Sequence, residues 1–355
     1  MSCEVICCEV PEILRILVEN SDGRLLDKLF SFLTTESKLD YYLAGYFEKI
    51  LEMLFKKMTV PMMKYFNESG PQLLSRFLDH VDNYSIMQII QRLMLPHIPF
   101  NNVTEQEAEA LAVDKSLYQC NWSYSVECCQ LLFDWMLSST DGDIPLHLSD
   151  LLITVLQLSP PETLVIKFLC QSNCIERLLT AIISEDADLK HAGDPYTSAT
   201  SISLAATSVL ESLNSRLFES NLPFDQSTSS VNDFSDEENC LMAKDQIESI
   251  CNQMLAYIPQ LYAVLRKYVE SNPCEPFVNQ SRALVPRLGH RGLQLVKLVE
   301  SMVRLANTDT DEMLCSSGTL SACLAMFFKF ENSSFLHLSV QRTVCSIFES
   351  DKNRT

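Results

Sequence analysis

Glycine is nearly missing from this chain: it supplies 8 of 355 residues, where an average protein has about 7%. Phosphate-binding loops, tight hairpins and barrel corners all consume glycine, because only glycine takes left-handed backbone at little steric cost. A dinucleotide-binding fold, a sandwich or a barrel is therefore disfavoured. The class that remains is all-α.

Hydrophobic periodicity fills that class in. Residues 39–57 place Leu39, Tyr42, Leu43, Tyr46, Phe47, Ile50, Leu51 and Leu54 at spacings of three and four, which predicts one wide apolar stripe on a helix. Glu48, Lys49, Glu52, Lys56 and Lys57 fall mostly opposite it. Similar stripes predict helices over 3–18, 24–33, 71–81, 84–95, 122–138, 146–158, 161–170 and 173–183, then over 200–217, 241–257, 261–270, 290–306, 319–329 and 335–349. More than about 60% of the chain should be helical, with essentially no sheet.

The breaks are short and carry helix punctuation, as at Ser69-Gly70-Pro71, Asp141-Gly142-Asp143-Ile144-Pro145 and Ser159-Pro160-Pro161-Glu162. Links this short join antiparallel neighbours. The pairs also echo one another. Leu25-Leu26-Asp27-Lys28-Leu29-Phe30 returns as Leu73-Leu74-Ser75-Arg76-Phe77-Leu78, and more weakly at Ile175–Leu179. Gly318-Thr319-Leu320 before Cys323-Leu324 and Phe327-Phe328 has the glycine-then-apolar-helix pattern of an armadillo repeat. Together these predict an armadillo/HEAT-like helical-repeat solenoid, with a globular bundle as the alternative.

Two segments depart from the pattern. Residues 184–200 are polar with glycine and proline and read as a loop. Residues 219–239 are rich in serine, asparagine and acid, so burial there cannot offset the entropy of ordering, and disorder is expected. Both are read as insertions within a single domain over 1–355. Ser235, followed by Asp236-Glu237-Glu238, is a candidate site for an acid-directed kinase, against the plainer reading of a solvating acidic loop.

Charge excludes some partners. With 46 acidic and 27 basic residues the net charge is −19, and the densest basic stretch, Arg282–Arg291, is interrupted by Pro286 and Gly289. Neither nucleic acid nor an acidic membrane surface suits such a field. Fourteen cysteines are too dilute in a chain of this length for a disulfide scaffold, and the opening residues carry no basic, apolar leader. The expectation is a soluble, intracellular protein, cytoplasmic and with access to the nucleus, with every thiol reduced.

Catalytic signatures are missing. No glycine-rich phosphate loop, nucleophile elbow or kinase triplet occurs. Cys3-Cys7-Cys8, Cys128-Cys129 and Cys170-Cys174 lack a nearby histidine and share faces with Ile and Leu, so they read as core rather than zinc ligands. The six histidines stand singly. No enzyme and no cofactor is expected.

Cys3–Val10, Leu25–Leu33 and Leu43–Leu51 resemble the opening blocks of the SAPS domain. Arg287-Leu288-Gly289, Gln294–Glu300, Leu324–Phe330 and Phe335-Leu336-His337 resemble later blocks, in the family's order. The middle, roughly 96–240, matches loosely, and Glu331-Asn332-Ser333-Ser334 departs from the family's pattern. The family extends beyond both ends of this chain, so the resemblance implies an interior portion of that domain. It also implies a non-catalytic scaffold that holds a protein phosphatase 6-type catalytic subunit and influences its substrate choice, with an ankyrin-repeat protein as third partner. A generic armadillo adaptor, such as a transport receptor for basic cargo, is the alternative. The two tryptophans, Trp122 and Trp135, cannot supply the Asn and Trp ladders of an import adaptor.

One feature suggests a surface. Gly45 sits inside the 39–57 helix, where glycine costs about 0.8–1 kcal/mol relative to alanine. Either a neighbouring repeat packs on the bare backbone, or a partner does. In the second case Tyr46 and Phe47 flank the contact, with Glu48 and Lys49 at its rim.

Overall fold

The computed structural model describes residues 2–19, 24–95, 120–158, 164–184, 198–221, 245–271, 274–280 and 282–353. Helix dominates them, and the chain is of the expected all-α, helical-repeat class. They fall into two compact units, Met1–Trp135 and Met136–Thr355, which are taken separately.

The first unit contains α1 (Ser2–Ile6), α2 (Pro11–Glu19), α3 (Arg24–Phe30), α4 (Tyr41–Lys57), α5 (Thr59–Ser69), α6 (Pro71–Leu78) and α7 (Tyr84–Leu93). It ends within α8 (Val126–Ser138). Single 3-10 turns follow α3 and precede α8. The single helix expected over 3–18 is two helices: Glu9 takes a left-handed φ of 58°, and Pro11 opens α2. The unpredicted α5 buries only Met62, Met63 and Phe66, too few to print a stripe on the sequence.

Its core is aromatic. Phe30 is 1% exposed and meets Phe47, Phe66 and Phe77 edge-on, with ring centroids 5.7, 5.5 and 6.3 Å away, while Tyr65 stacks on it at 5.2 Å. Edge-to-face pairs place a ring's positive rim on its neighbour's negative face, which adds to the burial term. Two buried polar side chains bond to backbone carbonyls. The Trp122 indole donates to the Phe66 carbonyl at 2.9 Å, and the Ser123 hydroxyl donates to the Leu93 carbonyl at 2.7 Å.

The second unit continues with α9 (Asp143–Leu158), α10 (Leu164–Leu169), α11 (Ser172–Ile183), α12 (Ser198–Asn221) and α13 (245–255). It closes with α14 (Ile258–Glu270), α15 (Gly289–Arg304), α16 (Thr308–Ser316), α17 (Thr319–Lys329) and α18 (Ser334–Asn353). α12 is its axis, packed against α9, α11 and α15. Leu204, Ala205, Ala206, Val209, Leu210, Leu213 and Leu217 are buried, so this helix is covered nearly all round. α15 in turn packs on α18, and α14 on α17.

Long side chains close helix ends. The Lys329 ammonium donates to the carbonyls of Tyr268 and Val269, both at 2.7 Å, satisfying the C-terminus of α14. Between α16 and α17, Gly318 has φ 85°, the left-handed stop that the armadillo-like pattern implies.

Three expectations need correction or placement. The loop over 184–200 gives way to α12 from Ser198, and the insertion over 219–239 begins only after Asn221; residues 185–197 and 222–239, Ser235 included, lie outside the described residues. A short antiparallel hairpin, β1 (Phe277–Val278) with β2 (Leu284–Val285), is the sheet among the described residues, in keeping with the expectation of essentially none. Arg282 takes φ 59° there and donates its backbone N–H to the Asn279 carbonyl. α16 escaped prediction because Thr310 and Leu314 are its only buried residues.

Candidate interaction surface

α4 begins at Asp40, whose carboxylate accepts from the backbone N–H groups of Tyr42 and Leu43 at 2.9 and 3.0 Å. This fixes where the helix starts. Ala44, Phe47, Ile50, Leu51, Leu54 and Phe55 point inward and are buried. The expected stripe is thus only partly core: Tyr42, Leu43 and Tyr46 are 80, 54 and 53% exposed, and Tyr41 is 71% exposed. α7 packs alongside α4 and adds Tyr84, also 53% exposed. Tyrosine is amphipathic, so the sequence pattern counted as core what the fold leaves in water.

The five candidate residues separate on this helix. Phe47 belongs to the core, edge-on to Phe30 and tilted against Phe32 at 5.2 Å. Tyr46 and Lys49 are exposed, Glu48 is half-buried, and Gly45 lies beneath α7. A Cβ built on Gly45 would meet only the Ser85 hydroxyl at 3.9 Å, an ordinary contact. The bare backbone is therefore not needed by the neighbouring helix. α1 lies against the same stretch, where the Cys3 thiol is 3.8 Å from the Tyr46 carbonyl.

The result is an exposed aromatic face at the N-terminal half of α4, with Lys49 at its edge. Tyrosines suit protein recognition because they offer large contact area at small entropic cost and keep a polar tip. Nothing about the face suits bond-making. Among the described residues no three His, Cys, Asp or Glu side chains gather as a metal site. The described cysteines are free thiols, and burial pushes Cys120, Cys170 and Cys323 up to about 12 and Cys251 to about 11, away from the thiolate a nucleophile needs. No helix among the described residues is long and apolar enough to cross a membrane.

Fold and surface together define a helical-repeat protein with an exposed aromatic face of the kind used in protein–protein contact. Curated proteins similar to it bear out the resemblance its sequence blocks carry. It is 23% identical to serine/threonine-protein phosphatase 6 regulatory subunit 1 of Homo sapiens over 352 residues, 98% of this chain and 38% of that protein. It is 23% identical to regulatory subunit 3 of Gallus gallus over 372 residues, 100% of this chain and 38% of that protein. Regulatory subunit 2 of Homo sapiens is 22% identical over 351 residues, 98% of this chain and 33% of that protein. The chain therefore spans less than two-fifths of the length of these relatives. No family model matches the chain, and no solved structure does either.

Proposed function

We propose that this chain is a non-catalytic regulatory element that binds a protein phosphatase 6-type catalytic subunit and modulates its activity or substrate choice. The observation that carries this reading is the similarity to three named phosphatase 6 regulatory subunits along at least 98% of the chain. One feature supports it physically: α4 presents four exposed apolar or aromatic side chains in six positions, Tyr41, Tyr42, Leu43 and Tyr46. We assign the catalytic subunit's contact to that face, with Lys49 and Glu48 at its rim. An ankyrin-repeat protein is the third partner this reading implies, and the cytoplasm its setting.

Affinity purification of the tagged chain from cells, with mass spectrometry of what co-purifies, tests the assignment. Recovery of a phosphatase 6-type catalytic subunit supports it. Recovery of basic transport cargo without a phosphatase contradicts it.

A further inference from the structure

The hairpin that interrupts the second unit closes one side of a groove of about 340 Å³. Phe277 and Pro286 form its hairpin wall, Leu288 and Leu293 come from the start of α15, and Phe330 and Phe335 flank the entry to α18. The floor is packed: Leu288 is 6% and Phe330 1% exposed. The rim is open, with Phe335 72% exposed. Gly289 has φ 77°, and a Cβ there would come within 2.6 Å of the Cys274 sulfur. The left-handed φ and the closeness of Cys274 together call for glycine at the start of α15, on the groove's lining.

Its charge singles out an occupant. Arg287 lines the groove and its guanidinium lies 5.7 Å from the centroid of the Phe277 ring. Among the described residues it forms no ion pair, although the chain carries net charge −19 and Glu275 and Glu331 lie within two residues of the groove-lining Phe277 and Phe330. A guanidinium stacked on an aromatic ring keeps its fork of N–H donors directed outward, ready for a carboxylate in bidentate geometry. An arginine of this kind beside an apolar slot is the composition of an interface hot spot.

We propose that this groove binds an extended segment of a partner protein in which a bulky apolar side chain adjoins an aspartate or glutamate. The apolar side chain fills the slot between Phe277, Leu293 and Phe335, and the acid pairs with Arg287. The inference uses none of the α4 face and stands apart from the phosphatase assignment.

A random peptide library displayed against the full chain supplies the probe, and the enriched peptides are then measured by fluorescence anisotropy. The expected consensus is Leu, Ile, Phe or Trp next to Asp or Glu. Arg287→Glu and Phe335→Ser should each weaken binding by roughly tenfold or more, as hot-spot truncation does, without moving the melting temperature. Phe348→Ser, at another exposed position on α18, should leave binding unchanged. Enriched peptides that are basic, that bind Arg287→Glu equally well, or that fail to appear would overturn the proposal. So would self-association in sedimentation that Phe335→Ser abolishes, since the groove would then belong to a second copy of this chain.

Discussion

The guanidinium of Arg291 donates to the carbonyl of Ile182 at 3.0 Å, joining α15 to the end of α11 across 109 residues of sequence. It reaches the Ser184 carbonyl as well, at 3.2 Å. Burial lowers its pKa from the ordinary arginine value to about 10, which leaves it charged at neutral pH. One side chain thus closes a helix C-terminus whose carbonyls have no continuation of their own helix to bond. Arg291→Ala strands those carbonyls and is expected to cost about 2–3 kcal/mol, read as the shift in the urea midpoint. A variant as stable as the parent would show that water replaces the contact.

Phe30 anchors the first unit. Its ring touches Phe47, Phe66, Phe77 and Tyr65 at once, so truncation leaves a cavity with four aromatic walls. Phe30→Ala should destabilise by about 3–5 kcal/mol. Thermal or urea unfolding followed by the near-ultraviolet signal of these rings measures it.

Gly45→Ala should act in the opposite direction. The added methyl meets only Ser85 at 3.9 Å, and alanine gains about 0.8–1 kcal/mol over glycine in a helix interior. A higher urea midpoint with unchanged partner binding is the expected result. This differs from the sequence-based reading, in which bare backbone at Gly45 is itself the contact.

That difference shows what the sequence made legible. Spacing of three and four located α4, α7, α12 and α15, and Gly318 marked the start of α17, because these are local consequences of helix geometry. Which part of a stripe is covered depends on where the next helix stops. Tyr42 and Tyr46 share a face by spacing with buried residues, yet they remain in water because the neighbouring helices cover Ala44 and Phe47 and leave these two side chains outside. Phe47 goes the other way, into the core beside Phe30. The groove at Phe277 and Phe335 was invisible for a related reason: its two walls lie far apart in sequence, and two-residue strands print no alternation. The blocks around Arg287 and Phe335 are visible as sequence patterns, but only the fold brings them together.

Glu211 gives a test by pH. Its carboxyl is raised chiefly by burial and secondarily by Glu300, while Lys297 and Arg304 oppose the shift. A carboxyl raised in the folded state penalises folding above its folded pKa, where it must be ionised while buried. The penalty fades as pH falls through that value toward the unfolded value of about 4.3. Glu211→Gln mimics the protonated form. It should therefore melt higher than the parent at pH 7.5, with the gap closing toward pH 4.5. A gap that widens on acidification would mean that attraction to the Lys297 and Arg304 charges dominates instead.

The central claim is that the α4 face carries the phosphatase contact. It is tested most directly by titrating a purified phosphatase 6-type catalytic subunit onto the immobilised full chain and onto variants Tyr42→Ser, Tyr46→Ser and Lys49→Glu. All three positions are exposed, so melting temperatures should stay constant. The account predicts saturable binding to the parent chain, weakened roughly tenfold or more by each tyrosine variant and less by the rim charge reversal. Equal affinity for the parent and all three variants, or no binding by the parent chain, would contradict it.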